Sequence, residues 1–360
     1  SPVAWANGLK VGAVFPLSGG HATFGEESIN GAELALSELK AKDPKLAAKI
    51  TFIKEDEKSS PVDAAAAAKK VLDVDKVDVV FGTVASSNTL AMADEVLKSG
   101  KPLLTPASTN PAVTQKGDAV FRTCFIDPFQ GTVLANFALN NLGKKKAAIL
   151  LDHKSDYSKG LSQFFEKAFV AGGGTIVAKE AYEAGKKDFK TQLTKLRGKK
   201  PDVILVPGYY QEVGLILKQA YQMGLKVPML GGDGWDSPDL FKLAGPEAAK
   251  GHYFSSHFAP DDSDPLVQAF VKNYTAKYKK APGAMAALGY DGILVIADAY
   301  KRAGSNDAKA MKTALGATRG FKGVSGTTSM NKLRDAEKDA VVLKTESDKA
   351  VFAAKVPFKS

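Results

Sequence analysis

Short apolar runs rich in β-branched residues recur along the chain, each followed by a longer stretch with helical spacing. The runs Leu9–Leu17, Ile50–Glu55, Val77–Gly82, Pro102–Thr105, Ala147–Leu151, Thr175–Ala178, Val203–Pro207 and Pro228–Gly231 are predicted strands. Between them, Ser28–Lys40, Val62–Leu72, Thr89–Lys98, Phe129–Leu142, Gly160–Ala171 and Tyr210–Met223 are predicted helices. Continuous apolar strands separated by helices indicate parallel sheets covered on both faces, so the chain is an α/β protein. The helix ends agree. Ser60-Pro61 offers a capping hydroxyl and then proline at the first helical position, Asp127-Pro128 repeats that arrangement, and Gly100, Gly143 and Gly224 stand where helices should stop.

The pattern then restarts. The first strand–helix series ends at Arg122-Thr123, and a fresh one begins at Lys146-Ala147-Ala148-Ile149-Leu150. After Ser255-Ser256 the chain turns mainly helical, through Leu266–Tyr278 and Ala287–Arg302. Its tail, Thr327–Ser329, Ala340–Thr345 and Ala350–Val356, reads as short strands. Two α/β lobes with several crossings between them account for these breaks. At 360 residues, 44% hydrophobic and 24% charged, the chain can fill two cores of ordinary size.

Charge and cysteine content narrow the function classes. The net charge of +10 comes from scattered lysines such as Lys144–Lys146, Lys186-Lys187 and Lys199-Lys200. No aromatic residues interleave them, so a solvated surface is expected and no nucleic-acid partner. No apolar stretch reaches the roughly 18–20 residues that span a bilayer. Ser1–Trp5 lacks the basic start and apolar core of a secretory signal, so the expectation is either a cytosolic protein or one whose signal has been removed. Cys124 is the only cysteine, which rules out an intrachain disulfide or a thiolate metal cluster; its neighbours suggest a packed thiol on a half-buried strand.

Candidate chemistry gathers in four turns at predicted strand ends, where open parallel sheets bind ligands: Leu17–Gly20, Gly82–Asn88, Thr105–Pro111 and Gly231–Trp235. Their hydroxyls and backbone N–H groups suit a carboxylate or a phosphate, most simply at the helix start after Ser86-Ser87-Asn88. Each alone could be only a cap or a turn; four at equivalent strand ends point to a shared cleft. No P-loop and no dinucleotide fingerprint is present. Gly323-Val324-Ser325-Gly326 is one residue short of a nucleophile elbow and reads as a turn. The four histidines form no metal motif; His252 and His257 are expected on opposite faces of a strand-like segment, and Asp152-His153 is not expected to pair. Neither catalytic residues, nor a metal, nor a cofactor is therefore expected.

Several stretches together closely resemble the leucine/isoleucine/valine-binding proteins, the periplasmic receptors of ABC importers for branched-chain amino acids. They are Gly12–Gly19, Thr105–Pro111, Gly208-Tyr209 ahead of Gly214, Gly231–Ser237 and Gly289-Tyr290-Asp291, and the likeness runs from Leu9 to about Thr345. It implies a type I periplasmic-binding-protein fold, two Rossmann-like lobes joined by three crossover strands. On that basis residues 1–123 with 256–330 form the N-terminal lobe, and 124–255 with 331–360 the C-terminal lobe. Carried over by position, the ligand carboxylate meets the Ser86 hydroxyl and the backbone N–H groups around Ala107, Ser108 and Thr109. The ammonium meets the Ala107 carbonyl, the Thr109 hydroxyl and Asp233. Tyr157 and Tyr209 close over the ligand, and Phe24, Trp235 and Met285 line the side-chain pocket.

The chemistry asks for such a set independently, since a zwitterion leaving water needs both charges paired. Three departures stand out: the small disulfide of some relatives is impossible here, Asp233 is shorter than the Glu some use, and Met285 replaces an aromatic residue. The expected protein is a monomeric, extracytoplasmic, periplasmic receptor, lipid-anchored or not, that partners an ABC permease. Rival readings are a receptor for an aromatic amino acid, short amide or other small carboxylate, and an enzyme lacking any recognisable nucleophile–base set. A two-lobed transcriptional sensor needs a helix-turn-helix, for which Ser1–Leu9 is expected to leave no room.

Overall fold

Five strands, β1 (Leu9–Phe15), β2 (Ile50–Asp56), β3 (Val79–Gly82), β4 (Leu103–Thr105) and β5 (Val120–Arg122), pair in parallel in the order β2-β1-β3-β4-β5. The coordinates are a computed structural model and describe residues 8–358; the Ser1–Trp5 stretch lies outside them. On one face, Val14, Val80, Leu103 and Val120 meet the alanine-rich helix Pro61–Asp73 and Met92 and Val96 of the helix Ser86–Ser99. Ala64, Ala67 and Ala68 let that first helix lie close to the strands, where larger side chains would hold it off. Ser60 caps it as predicted, its side chain accepting from the Asp63 N–H at 3.4 Å. The strand Val120–Arg122 was not predicted as a separate element, its short apolar run being interrupted by Arg122.

The second series repeats the winding. Strands β6 (Lys146–Asp152), β7 (Thr175–Tyr182), β8 (Val203–Leu205), β9 (Met229–Gly231) and β10 (Tyr253–Ser256) run parallel in the order β7-β6-β8-β9-β10, the first sheet's order shifted by five. Asp127 does not cap its helix: Asp127–Asn136 takes it as the first helical residue, after Ile126. The predicted helix Phe129–Leu142 ends in a π-turn, Phe137–Asn141. Lys190–Gly198 is a helix that the pattern missed, its apolar positions being confined to Leu193 and Leu196.

The described residues divide into two compact units, one formed by those up to Phe125 with Asp262–Lys338, the other by Ile126–Asp261 with those from Asp339 onward. The second passage follows Asp261 rather than 255, and the third follows Lys338 rather than 330. Local pairing explains the latter: β11 (Phe321–Gly323), β12 (Gly326–Met330) and β13 (Ala336–Glu337) make a small antiparallel sheet in the first unit. Beyond it, β14 (Ala340–Thr345) pairs antiparallel with β10 and β15 (Ala350–Val356) with β14, widening the second sheet to seven strands. The arrangement is that of two Rossmann-like α/β lobes between which the chain passes three times. No described helix is long and apolar enough to cross a membrane.

The first unit depends on a backbone-to-backbone helix crossing. Helices Ala22–Lys42 and Ala284–Ala303 approach so closely that a Cβ on Gly31 would lie 1.9 Å from the Ala286 carbonyl oxygen, and one on Gly289 would lie 2.1 Å from that of Ser28. Gly289→Ala must therefore push the helices apart and is expected to cost about 3 kcal/mol in urea unfolding. Gly198→Ala, in open space, is the control expected to change stability by less than about 1 kcal/mol.

At the end of β2, Glu57 is buried; it accepts from Thr83 Oγ1 at 2.9 Å, Asn88 Nδ2 at 2.7 Å and the Ser60 N–H at 3.2 Å. Burial outweighs these bonds and pushes its pKa from 4.5 up to about 7. Between those two values the unfolded chain has ionised Glu57 while the folded chain still holds the proton, so stability falls as pH rises through that window and is complete below it. Glu57→Gln should abolish this slope. Measured by urea unfolding at pH 4.5 and 7.5, the wild type is expected to lose up to about 3 kcal/mol more than the variant.

Candidate functional site

In the first unit the candidate residues follow β3 and β4. Ser86 opens the helix Ser86–Ser99, whose preceding residue, Ala85, supplies no side-chain cap. Its buried Oγ accepts the Asn110 N–H at 3.2 Å, which ties the two turns together. Ser108 is a structural hydroxyl: its Oγ lies 2.6 Å from Thr89 Oγ1 and donates within 3.0 Å of the Val84 carbonyl oxygen. The N–H groups of Ala107 and Ser108 both point at Thr105 Oγ1, at 3.3 and 3.1 Å. The expected N–H cradle around Ala107 and Ser108 is thus turned inward to hold the turn's own shape. Thr109 is buried beside them, and Phe24 and Met285 are buried in the first turns of the helices Ala22–Lys42 and Ala284–Ala303.

A residue absent from the predicted set holds this turn. Arg122, on β5 and fully buried, donates through Nη1 to the carbonyls of Ser108 at 2.7 Å and Asn110 at 2.8 Å. Through Nη2 it donates to Thr114 Oγ1 at 2.9 Å and to the Pro111 carbonyl at 3.3 Å, and Nε is paired with Asp335. The planar five-donor fork lets one side chain fix a whole loop, which a lysine could not do. Cys124, expected on a half-buried strand, is fully buried just past β5, its thiol 3.4 Å from the Ser108 carbonyl oxygen.

In the second unit the candidates again sit just past parallel strand ends: Tyr157 after β6, Tyr209 after β8 and Asp233 after β9. The Tyr157 and Tyr209 rings stack with centroids 5.1 Å apart at 29°. Tyr157 Oη accepts the Gly234 N–H at 3.2 Å, and the Asp233 N–H donates to Gln130 Oε1 at 2.8 Å. Gln130 Oε1 also accepts from Ser255 Oγ at 2.7 Å, while its Nε2 donates to Asp127 Oδ1 at 3.0 Å. The Asp233 turn is therefore fixed from two sides. Trp235, expected at a ligand side chain, is accounted for inside this unit: its indole N–H donates to the Val206 carbonyl at 2.9 Å, and its ring lies over Gly231, where a Cβ would come within 2.0 Å.

Asp233 brings a buried carboxyl group to this strand end. Its Oδ2 lies 3.0 Å from His257 Nε2, while Oδ1 is buried and has no hydrogen-bond partner among the described residues. Burial raises the Tyr157 and Tyr209 phenols well above the ordinary tyrosine range, and the Asp233 and Asp127 carboxylates push them further. The surroundings are thus rich in negative charge and phenolic oxygen, which favours a cation with several N–H donors. His257 falls just past β10, and because β9 and β10 are parallel neighbours, its side chain and that of Asp233 emerge at one sheet end. That strand-end rule, applied to Ser255-Ser256, was the signal that could have found it; Arg122 and Gln130 left no such mark.

Other candidates are absorbed by structure. Val324-Ser325 is the turn of the β11–β12 hairpin, with Ser325 bonded to Asp291 and to Lys338 Nζ at 2.6 Å. His153 Nδ1 lies 2.7 Å from the Tyr182 carbonyl oxygen, and Asp152 Oδ1 accepts from the Lys154 N–H. No group of His, Cys, Asp and Glu able to hold a metal occurs among the described residues.

Comparison with known proteins agrees with this arrangement. A family model described as periplasmic binding protein matches residues 8–350. The Leu/Ile/Val-binding protein BraC3 of Rhizobium johnstonii is 32% identical over 88% of this chain and 85% of its own. The crystal structure of a leucine-binding protein, LivK, of Thermotoga maritima superposes with a TM-score of 0.92 at 38% identity, covering 97% of this chain and 99% of that one. LivJ of Streptococcus pneumoniae, solved with isoleucine, gives 0.90 at 34% over the same shares. A solute-binding protein of R. palustris solved with benzoate gives 0.88 at 26%, covering 98% of each chain. With its fold, its strand-end turns and these matches, the chain belongs to the periplasmic binding protein family, a family of solute receptors and not of enzymes.

Proposed function

We propose that this protein is the extracytoplasmic receptor of an ABC importer and binds a free branched-chain or other hydrophobic amino acid. The observation that carries the reading is the buried Oδ1 of Asp233, an acceptor with no hydrogen-bond partner among the described residues. An ammonium answers it; a simple carboxylate adds a like charge. The ligand carboxylate is assigned to the Ser86 hydroxyl and the Thr109 turn, with the Ala107 carbonyl and Thr109 hydroxyl sharing the ammonium. Tyr157 and Tyr209 cover the ligand, and Phe24 and Met285 line its aliphatic side. Trp235 and Ser108 support the turns from behind. The relatives named for leucine, isoleucine and valine support the same ligand class. Hinge closure on the ligand, with a membrane permease recognising the closed form, completes the proposed cycle of a monomeric periplasmic receptor.

A second reading, a receptor for an aromatic or other small carboxylate, draws on the benzoate complex and on the stacked Tyr157–Tyr209 pair, which could face a flat ring. The two differ in whether an ammonium is required.

A thermal-shift screen over the twenty amino acids and benzoate, followed by calorimetry, is expected to give stabilisation by leucine, isoleucine and valine. These should differ modestly, because one methylene is worth about 1–3 kcal/mol. Stabilisation by benzoate alone, or only by polar and acidic amino acids, would overturn the reading. Asp233→Asn is expected to weaken leucine binding by about 2–5 kcal/mol in calorimetry, through loss of the ammonium's buried counter-charge. An unchanged Kd removes Asp233 from the site.

A further inference from the structure

We infer that His257 is the positioning residue of the ammonium site: it holds the Asp233 carboxylate so that Oδ1 stays open, and so makes the site select for ligands carrying an ammonium group. The inference rests on the reading of this turn as an amino-acid site.

The geometry begins with the sheet. Parallel pairing of β9 and β10, with Phe254 opposite Gly231, puts residues 233 and 257 past the same end of neighbouring strands. Both side chains are buried, His257 at 0% and Asp233 at 5% exposure, and Nε2 lies 3.0 Å from Oδ2. An ionised carboxylate can only accept, so the contact requires the proton on Nε2 and fixes the ring's role as donor. Asp has only two side-chain torsions, and the backbone N–H of Asp233 is already held by Gln130. A bond to one oxygen therefore settles where the other points. Without His257, the carboxylate could rotate about its last torsion and the partner of neither oxygen would be set.

Selectivity follows from the asymmetry. With Oδ2 answered by the imidazole, Oδ1 is a buried acceptor whose desolvation is uncompensated until a donor arrives. A ligand with an ammonium supplies N–H donors and positive charge at that point. One with the same skeleton and no amino group leaves Oδ1 unanswered and gains nothing from the turn. If the Asp233–His257 contact were merely core packing, its loss would weaken all ligands alike.

The test compares leucine with 4-methylpentanoate, which is leucine without its amino group, by calorimetry and ligand-observed NMR on the full chain. The proteins are wild type, His257→Leu, His257→Gln and His257→Leu combined with Asp233→Asn. His257→Leu is expected to weaken leucine about 10- to 100-fold, as loss of a bond to a charged group does. Its affinity for 4-methylpentanoate should stay within about twofold, since the discrimination is a difference of affinities. His257→Gln, whose amide nitrogen can reach the place of Nε2, should recover most of the leucine affinity. In the double variant, adding His257→Leu to Asp233→Asn should weaken leucine no further than about threefold, because both changes remove one interaction.

Equal loss of both ligands in His257→Leu, or a wild-type preference for leucine in that variant, overturns the proposal while leaving the amino-acid reading intact. Should His257→Leu fail to fold by thermal melting, loss of discrimination in His257→Gln overturns it equally. A wild-type protein that binds 4-methylpentanoate as tightly as leucine defeats the amino-acid reading itself.

Discussion

A carboxylate removed from water must have its lone pairs answered, and Asp233 is held where the protein answers only one side of it. The backbone beneath it is fixed by Gln130, the next N–H by Tyr157, and Oδ2 faces His257. Oδ1 is buried without a hydrogen-bond partner among the described residues. Such a group is costly, on the order of 1–3 kcal/mol or more for a charge, and it persists only because the surrounding bonds over-determine the turn. On the reading proposed above, a cation meeting Oδ1 recovers this cost, which converts local instability into affinity.

The same design recurs at the other turn by different means. There Arg122 takes the carbonyls of Ser108, Asn110 and Pro111, while Thr105 Oγ1 takes the N–H groups of Ala107 and Ser108. Five backbone polar groups of the loop are thus answered by two side chains. The parallel winding makes this possible. In both sheets the order places successive strand ends side by side, so that residues far apart in sequence, such as 130, 233 and 257, meet at one sheet end.

What could be read from sequence follows this division. Strands and helices with regular apolar spacing were legible, because each buries one face against a continuous sheet. Lys190–Gly198 was not, because too few of its positions are apolar, and in β5 the charged Arg122 interrupts the apolar run. Ser86, Thr109 and Asp233 were legible as members of hydroxyl-rich or acidic turns, and by likeness to known receptors. The cover that Trp235 gives Gly231 and its bond to Val206 were not legible, because an aromatic residue beside such a turn looks the same in sequence whichever way it faces. Arg122 and Gln130 lay outside any motif, and His257 was marked only by its place just past a strand end. The contacts from Arg122 to Ser108, from Gln130 to Asp233 and from His257 to Asp233 lie 14, 103 and 24 residues away in the chain, and a linear pattern does not name a partner at that distance.

The supporting residues also bear on how tightly such a receptor can bind. Ordering flexible side chains and loops on association costs roughly 0.5–1.5 kcal/mol for each rotamer-rich side chain immobilised. Here the 105–111 turn and the 232–235 turn are already fixed by Arg122, Thr105, Gln130, Tyr157 and Trp235. That ordering was completed at folding, when the buried sheet supplied the free energy for it, so a small ligand does not have to. A solute of fewer than a dozen heavy atoms has little contact energy to spend, with a ceiling of roughly 1.5 kcal/mol per atom for the best tiny ligands. Tight capture of so small a molecule requires that the fold do the ordering in advance, and the buried, multiply bonded turns at these strand ends are ordered in that way.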